Sequence, residues 1–268
     1  MNSDLNVTGL KGVSETLLAT LYLRSLETKR KDGIIKDNHA VEIVKRIDYN
    51  FSAHASAFTQ AIIAIRTEII DEIVKKFIQQ YPNATIVNLG TGLCTRYFRV
   101  DNGLINWFCV DLPEVKLVWD NLFDESERLH YLSYSALDFN WIKETKAAAS
   151  DKILIIAEGL LMYFSEAEVK QLFNAIQHNF PQSEIIFDAL GIFLAKNSQL
   201  NSGALDIDAS YKWGIKNLQE IETWERGVRL LAQWHYLDRH KNRLGLMGWL
   251  SYIPRIRRQV KIGHLQFL

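Results

Sequence analysis

Between positions 58 and 78 the apolar residues Phe58, Ile62, Ile65, Ile69, Ile73 and Phe77 recur at three- and four-residue intervals, the spacing that lines one side of a helix. Asp71 and Glu72 stand four residues before Lys75 and Lys76, as exposed ion pairs on the opposite face would. Tyr81-Pro82-Asn83 ends that helix, and the rest of positions 1–80 also reads as helical. At position 85 the period changes. Thr85-Ile86-Val87-Asn88-Leu89-Gly90 is a short apolar run stopped by glycine, the pattern of a strand buried on both faces. Similar runs at 105–111, 152–158 and 183–188, with a weaker one at 129–133, alternate with helix-like stretches such as 165–180. This alternation specifies a doubly wound parallel sheet. Runs at 229–236 and 259–267 supply two more strands and an antiparallel edge. The expected fold is therefore α/β, a mostly parallel seven-stranded sheet with an antiparallel edge. Residues 1–80 form a helical N-terminal cap and 84–268 the core, within one domain spanning 1–268, since no linker, repeat or low-complexity tract divides the chain.

Composition narrows the function classes. With 48% hydrophobic and 23% charged residues the chain can bury a sizeable core. Its 31 basic and 31 acidic residues cancel, so no global field draws it to nucleic acid or to a membrane surface, and no apolar run reaches the ~20 residues of a bilayer span. The one basic cluster, Arg255, Arg257, Arg258 and Lys261, reads as solvated surface. Two cysteines, Cys94 and Cys109, make no disulfide framework, and with no signal-like start the expected location is cytoplasmic. His235 and His240 lack ligand spacing, and no metal site is expected.

In a doubly wound sheet ligands bind beyond the carboxyl ends of the strands, which directs attention to four places. The first run ends in Gly90-Thr91-Gly92-Leu93-Cys94-Thr95, where two glycines permit a sharp turn and close approach of a ligand to backbone; alone, they would mark only a tight turn. The second ends in Asp111, about 20 residues past Gly90, placed to accept hydrogen bonds from both hydroxyls of a ribose. NAD and S-adenosylmethionine both carry that ribose. The third glycine of the dinucleotide pattern is Thr95 here and the glycine loop does not open the chain, which argues against a pyrophosphate. The third place is Asp138-Phe139, able to meet an adenine amino group beside a flat apolar contact, or to cap the helix that follows. The fourth is Glu158, a carboxylate leaving an apolar strand. A buried charge needs a partner, and a cofactor ammonium or sulfonium would serve.

Taken together, Ala64-Ile65-Arg66 with Ile70-Asp71, Val87-Asn88-Leu89-Gly90-Thr91-Gly92-Leu93 with Thr95-Arg96, Val110-Asp111-Leu112-Pro113-Glu114-Val115 and Ala157-Glu158-Gly159-Leu160-Leu161-Met162-Tyr163 resemble the leucine carboxyl methyltransferases and their relatives that O-methylate polyketides. The resemblance implies a Rossmann-like methyltransferase fold and an S-adenosylmethionine-dependent O-methyltransferase acting on a small molecule, a carboxylate or hydroxyl. It also implies roles. Arg66 would hold the methionine carboxylate; Gly90, Thr91 and Gly92 would lie against the cofactor; Asp111 with Leu112 would meet the ribose, Asp138 with Phe139 the adenine, and Glu158 with Gly159 the methionine end. Tyr163 would line the substrate side as the candidate catalytic residue, and Arg24 would reach in from a helical lid. The chain departs from the family in having Cys94 where Asp is usual and Asp37-Asn38 where Asp-Pro is usual. A carboxylate acceptor, with a pKa near 4, is already anionic at neutral pH and needs no general base. Its pocket is expected from the helical N-terminus and positions 191–213, whose aromatics Tyr211 and Trp213 suit an apolar molecule.

Overall fold

The computed structural model describes residues 5–6, 16–51, 56–197, 211–224 and 226–268. Within them the strands are β1 (Leu5–Asn6), β2 (Ile47–Asp48), β3 (Thr85–Leu89), β4 (Asn106–Asp111), β5 (Leu129–Ser133), β6 (Ile153–Ala157), β7 (Glu184–Leu190), β8 (Val228–His235) and β9 (Val260–Phe267). Seven form one sheet in the order β5-β4-β3-β6-β7-β9-β8. Strands β3 to β7 run parallel, and β9 lies antiparallel to both β7 and β8. The antiparallel edge is thus a pair whose inner member is the last strand of the chain. Burial accounts for the order: Ile262, Leu265 and Phe267 of β9 are fully buried, whereas β8 exposes every second residue from Arg229 to Gln233, which an edge strand permits.

Strands β3 and β6 are buried at every position, because their β-branched runs are covered on both faces. Successive residues serve opposite layers: Ile86 joins a cluster with Ile65, Ile69 and Ile73 of α3 (Ala57–Gln80), while Val87 joins Val169, Leu172 and Ile176 of α7 (Glu166–Asn179), as the two-residue period requires. Each of these helices starts where a serine caps it. The Ser56 hydroxyl accepts from the Thr59 amide, and Ser165 with Glu168 forms a reciprocal capping box.

The N-terminal part adds α1 (Thr16–Lys29) and α2 (Asn38–Val44). It is not wholly helical, since β1 and β2 pair in parallel. Helix α3 is enclosed on more than one side, which overturns the expectation of a solvent-facing Asp71. That residue is buried and faces arginines of α4 (Arg96–Val100) instead of Lys75. Lys261 is likewise not part of a solvated cluster. It is buried, donating to the carbonyls of Ile215 and Lys216 at 2.7 and 3.0 Å, and burial lowers its pKa to about 8. No helix among the described residues is long and apolar enough to cross a membrane.

Candidate active site

Past β3 the backbone enters the left-handed region at Gly90 (φ +61°). A Cβ there would stand 2.8 Å from Leu160 Cδ1, so both conformation and space demand glycine. The Gly90 and Thr91 amides donate to the Val110 carbonyl at 2.8 and 3.2 Å. The loop is also held to the end of β4 by Asp111, whose Oδ2 accepts from the Gly92 amide at 2.6 Å and whose Oδ1 accepts from the Leu112 amide at 2.8 Å. Burial raises the Asp111 pKa against these two bonds.

This loop forms one wall of a cavity of about 140 Å³ at the carboxyl edge of the sheet. Eight residues singled out in the sequence meet there: Arg24, Arg66, Gly90, Thr91, Gly92, Glu158, Gly159 and Tyr163. Asp111 adjoins it through Gly92, whereas Leu112, Asp138 and Phe139 do not line it. Asp138 is exposed and accepts from the amide and side chain of Asn140, the first residue of α6 (Asn140–Ala148), which ties down the turn before that helix, while Phe139 stands at the N-cap position. Phe139, half-buried, packs on the core. Leu112 precedes α5 (Pro113–Trp119) and is exposed.

Arg66 does not stand free. Its Nε donates to Glu158 Oε1 at 2.7 Å and its Nη1 to Asp188 Oδ2 at 3.2 Å. Glu158 Oε2 accepts from Arg96 at 2.6 Å, and Arg96 reaches Asp71 at 2.6 Å. Asp71 accepts from Arg99 at 2.7 Å, Arg99 reaches Asp37 at 2.8 Å, and Asp37 accepts from Arg24 at 3.0 Å. Four guanidiniums and four carboxylates therefore alternate in one unbroken line from α1 to β7, with every side chain at most 12% exposed. Burying charge is costly unless each member is paired, and here each is. Burial pushes Glu158 upward, but Arg96 and Arg66 outweigh it and hold this carboxyl below the ordinary range. Asp37 is pulled to about 2 by Arg24 and Arg99 against the same penalty. At Asp188 burial prevails over Arg66, and the pKa is raised.

Five members of the line, Asp37, Asp71, Arg96, Arg99 and Asp188, were given no place in the site by the sequence. Asp188 carried a signal, because it closes the apolar run 183–188 as Glu158 closes 152–158, although β7 itself continues to Leu190. Its Oδ1 accepts from the Gly159 amide at 2.7 Å and its Oδ2 from the Tyr236 hydroxyl at 3.1 Å, fixing the turn that presents Glu158. Arg24 touches the glycine loop directly, donating to the Leu93 carbonyl at 3.0 Å. Cys94, at the position where the family usually has Asp, lies 3.6 Å from Arg96 Nη1.

A second, apolar cavity of about 580 Å³ shares Ile63 and Tyr211 with the first. Phe58 and Ile62 of α3 line it together with Phe193 and Leu194 of α8 (Ile192–Lys196). These walls match the expected acceptor pocket in part. Trp213 does not contribute, being buried in the core beside Phe187 and Trp224, and positions 198–210 lie outside the described residues. Tyr163 stands 5.6 Å from Tyr211 between ring centroids, and burial raises its pKa so that its phenol stays protonated at neutral pH. Among the described residues no histidine lines either cavity and no group of side chains could hold a metal ion.

The profile of the leucine carboxyl methyltransferases matches residues 17–177, well over half of the chain. The chain belongs to the leucine carboxyl methyltransferase family. It is 32% identical over 234 residues, 85% of each chain, to the tetracenomycin polyketide synthesis O-methyltransferase TcmP of Streptomyces glaucescens. It is 27% identical to the S-adenosyl-L-methionine-dependent methyltransferase dpfgK of Gibberella zeae, covering 95% of this chain and 92% of that one. In fold it is similar to the magnesium protoporphyrin IX methyltransferase of Synechocystis PCC 6803, solved with S-adenosylhomocysteine (TM-score 0.52, 10% identity, 86% of this chain and 94% of the other). A candidate methyltransferase of Thermobifida fusca aligns at a TM-score of 0.63 with 13% identity, over 97% and 96% of the two chains. As a leucine carboxyl methyltransferase family member the chain is an S-adenosylmethionine-dependent O-methyltransferase. The residues present suit that cofactor: Gly90 offers bare backbone to the cavity it lines, and the lining carries two guanidiniums, Arg24 and Arg66, and one carboxylate, Glu158, for a zwitterion.

Proposed function

We propose that this family member forms a methyl ester on the carboxylate of an apolar small molecule of polyketide-like character, within the cytoplasm and as a single domain. The observation that carries the reading is the wall of Ile63 and Tyr211 held in common by the charged cavity and the apolar one, which brings an apolar acceptor up to a cofactor cradle. S-adenosylmethionine supplies a methyl group on a positive sulfur, open to in-line displacement.

The chain's own residues have to bind, align and exclude water. Arg66 and Glu158, in mutual contact at 2.7 Å, take the carboxylate and ammonium of the methionine end, with Gly90, Thr91, Gly92 and Gly159 offering backbone. Arg24 closes the loop side. Asp111 with Leu112 holds the ribose, and Asp138 with Phe139 the adenine side. Tyr163, kept protonated by burial, orients the acceptor by donating a hydrogen bond rather than acting as a base. A carboxylate acceptor needs no base. A hydroxyl acceptor would, and no histidine among the described residues lines either cavity.

The test is transfer of labelled methyl from S-adenosylmethionine into a panel of aromatic carboxylic acids and matched phenols, followed by mild base. Label released as methanol from the acids supports the ester; label kept as an ether on the phenols defeats it. S-adenosylhomocysteine at a hundredfold excess over Kd should stabilise the fold by ~2.7 kcal/mol, and NADH by nothing measurable.

A further inference from the structure

The apolar cavity shares Phe193, Arg255 and Gln259 with a neighbouring groove of about 580 Å³ that has no residue in common with the cofactor cavity. Among the described residues four cations, Lys196, Lys216, Arg255 and Arg258, line that groove, and no carboxylate does. Among the described residues none of the four forms an ion pair, although Arg257, between two of them in sequence, pairs with Asp238. In a chain of zero net charge this is a local concentration of one sign, and a cleft so lined focuses field on an anion that enters it. The three spaces form a series: charged cavity, apolar cavity, cationic groove.

We infer that the groove seats an anionic group of the acceptor at the end remote from the methylated oxygen. The acceptor is then an elongated molecule with an apolar body and a distal carboxylate, sulfate or phosphate. The four cations select for that distal charge, and the apolar walls are indifferent to it. The inference rests on reading the apolar cavity as the acceptor site.

The experiment reads binding apart from catalysis, with two dyes of similar shape: 8-anilinonaphthalene-1-sulfonate, which is anionic, and N-phenyl-1-naphthylamine, which is neutral. The full chain should bind the sulfonate about tenfold more tightly, the scale of two partly exposed charge contacts, and the preference should shrink with added salt. Lys196→Glu with Arg258→Glu, both exposed and neither lining the apolar cavity, should abolish the preference while leaving the neutral dye unchanged. Leu194→Trp, which fills the apolar cavity, should weaken both dyes. Equal binding of the dyes to the unaltered chain, a preference that survives the charge reversal, or dye binding that survives Leu194→Trp would each overturn the inference. Stabilisation by S-adenosylhomocysteine, measured on the same samples, reports separately on the methyltransferase reading.

Discussion

At the β6 and β7 end of the carboxyl edge, Glu158 and Asp188 meet guanidiniums; at the β4 and β5 end, Asp111 accepts from two backbone amides and Asp138 from Asn140 alone. The first end is a fully compensated charge network, built before any cofactor arrives. The second keeps its carboxylates with neutral donors, which a ribose or an adenine can join or replace at small electrostatic cost. Damage should therefore differ in kind: at the first end stability and binding fall together, and at Asp111 of the second binding falls alone.

The largest effect is expected at the middle of the line. Arg96 is 1% exposed and bridges Asp71 and Glu158, so Arg96→Ala takes one of two guanidinium partners from each of these buried carboxylates, leaves the line one positive charge short, and should cost ~3–5 kcal/mol of folding stability. Urea unfolding measures it, and a loss below ~1 kcal/mol would show that the network relaxes around the gap. Next come the two carboxylates proposed to meet the cofactor. Glu158→Gln and Asp111→Asn should each weaken S-adenosylhomocysteine binding by ~1.5–3 kcal/mol in calorimetry, but only the first should also lower the melting temperature. Equal melting losses in both would erase the distinction between the two ends.

Acidity probes the same contrast without mutation. The Asp37 carboxyl is held at about 2 against an ordinary 3.8, so its stabilisation is fully present above the ordinary value and is lost as pH falls through 2. Asp71 and Glu158 are shifted in the same direction, while the raised Asp188 works against them. Stability should drop between pH 4 and 2, with Asp37 contributing about 2 kcal/mol. Asp37→Asn should flatten that part of the curve in urea titrations at fixed pH.

What the sequence disclosed follows the same division. Local patterns were legible: the buried runs of β3 and β6, the glycine loop, and the helix of 165–180 whose ends fall within a residue of those observed. Asp111 and Glu158 were legible because a strand end announces itself. The ion-pair line was not, since its contacts join residues from 13 to 122 positions apart, and no periodicity relates Asp37 to Arg99 or Arg66 to Asp188. Asp71 misled for a related reason. Its spacing to Lys75 is that of a surface pair, and only the packing of α3 against α4 turns it inward. The place of β9 inside β8 was equally hidden, because strand order is a property of the sheet and not of either segment.

The smallest predicted effect decides what Asp138 is for. Its Oδ1 accepts from the Asn140 amide at 3.1 Å, one position before the N-cap Phe139 of α6, and losing a bond that satisfies a first-turn amide, as a cap does, costs ~1 kcal/mol. As a cap only, Asp138→Ala lowers the melting temperature by a few degrees and leaves S-adenosylhomocysteine affinity untouched. If the carboxylate also accepts from the adenine amino group, affinity for S-adenosylhomocysteine falls about fivefold or more, while an analogue without that amino group binds the variant and the unaltered chain alike. Asp138→Ser separates the two jobs, because serine caps a helix nearly as well as aspartate but is too short and uncharged to replace it at the adenine. Stability restored with affinity still low would assign both roles to this one side chain. Stability and affinity restored together would leave the β4 and β5 end with Asp111 as its sole acidic contact to the cofactor.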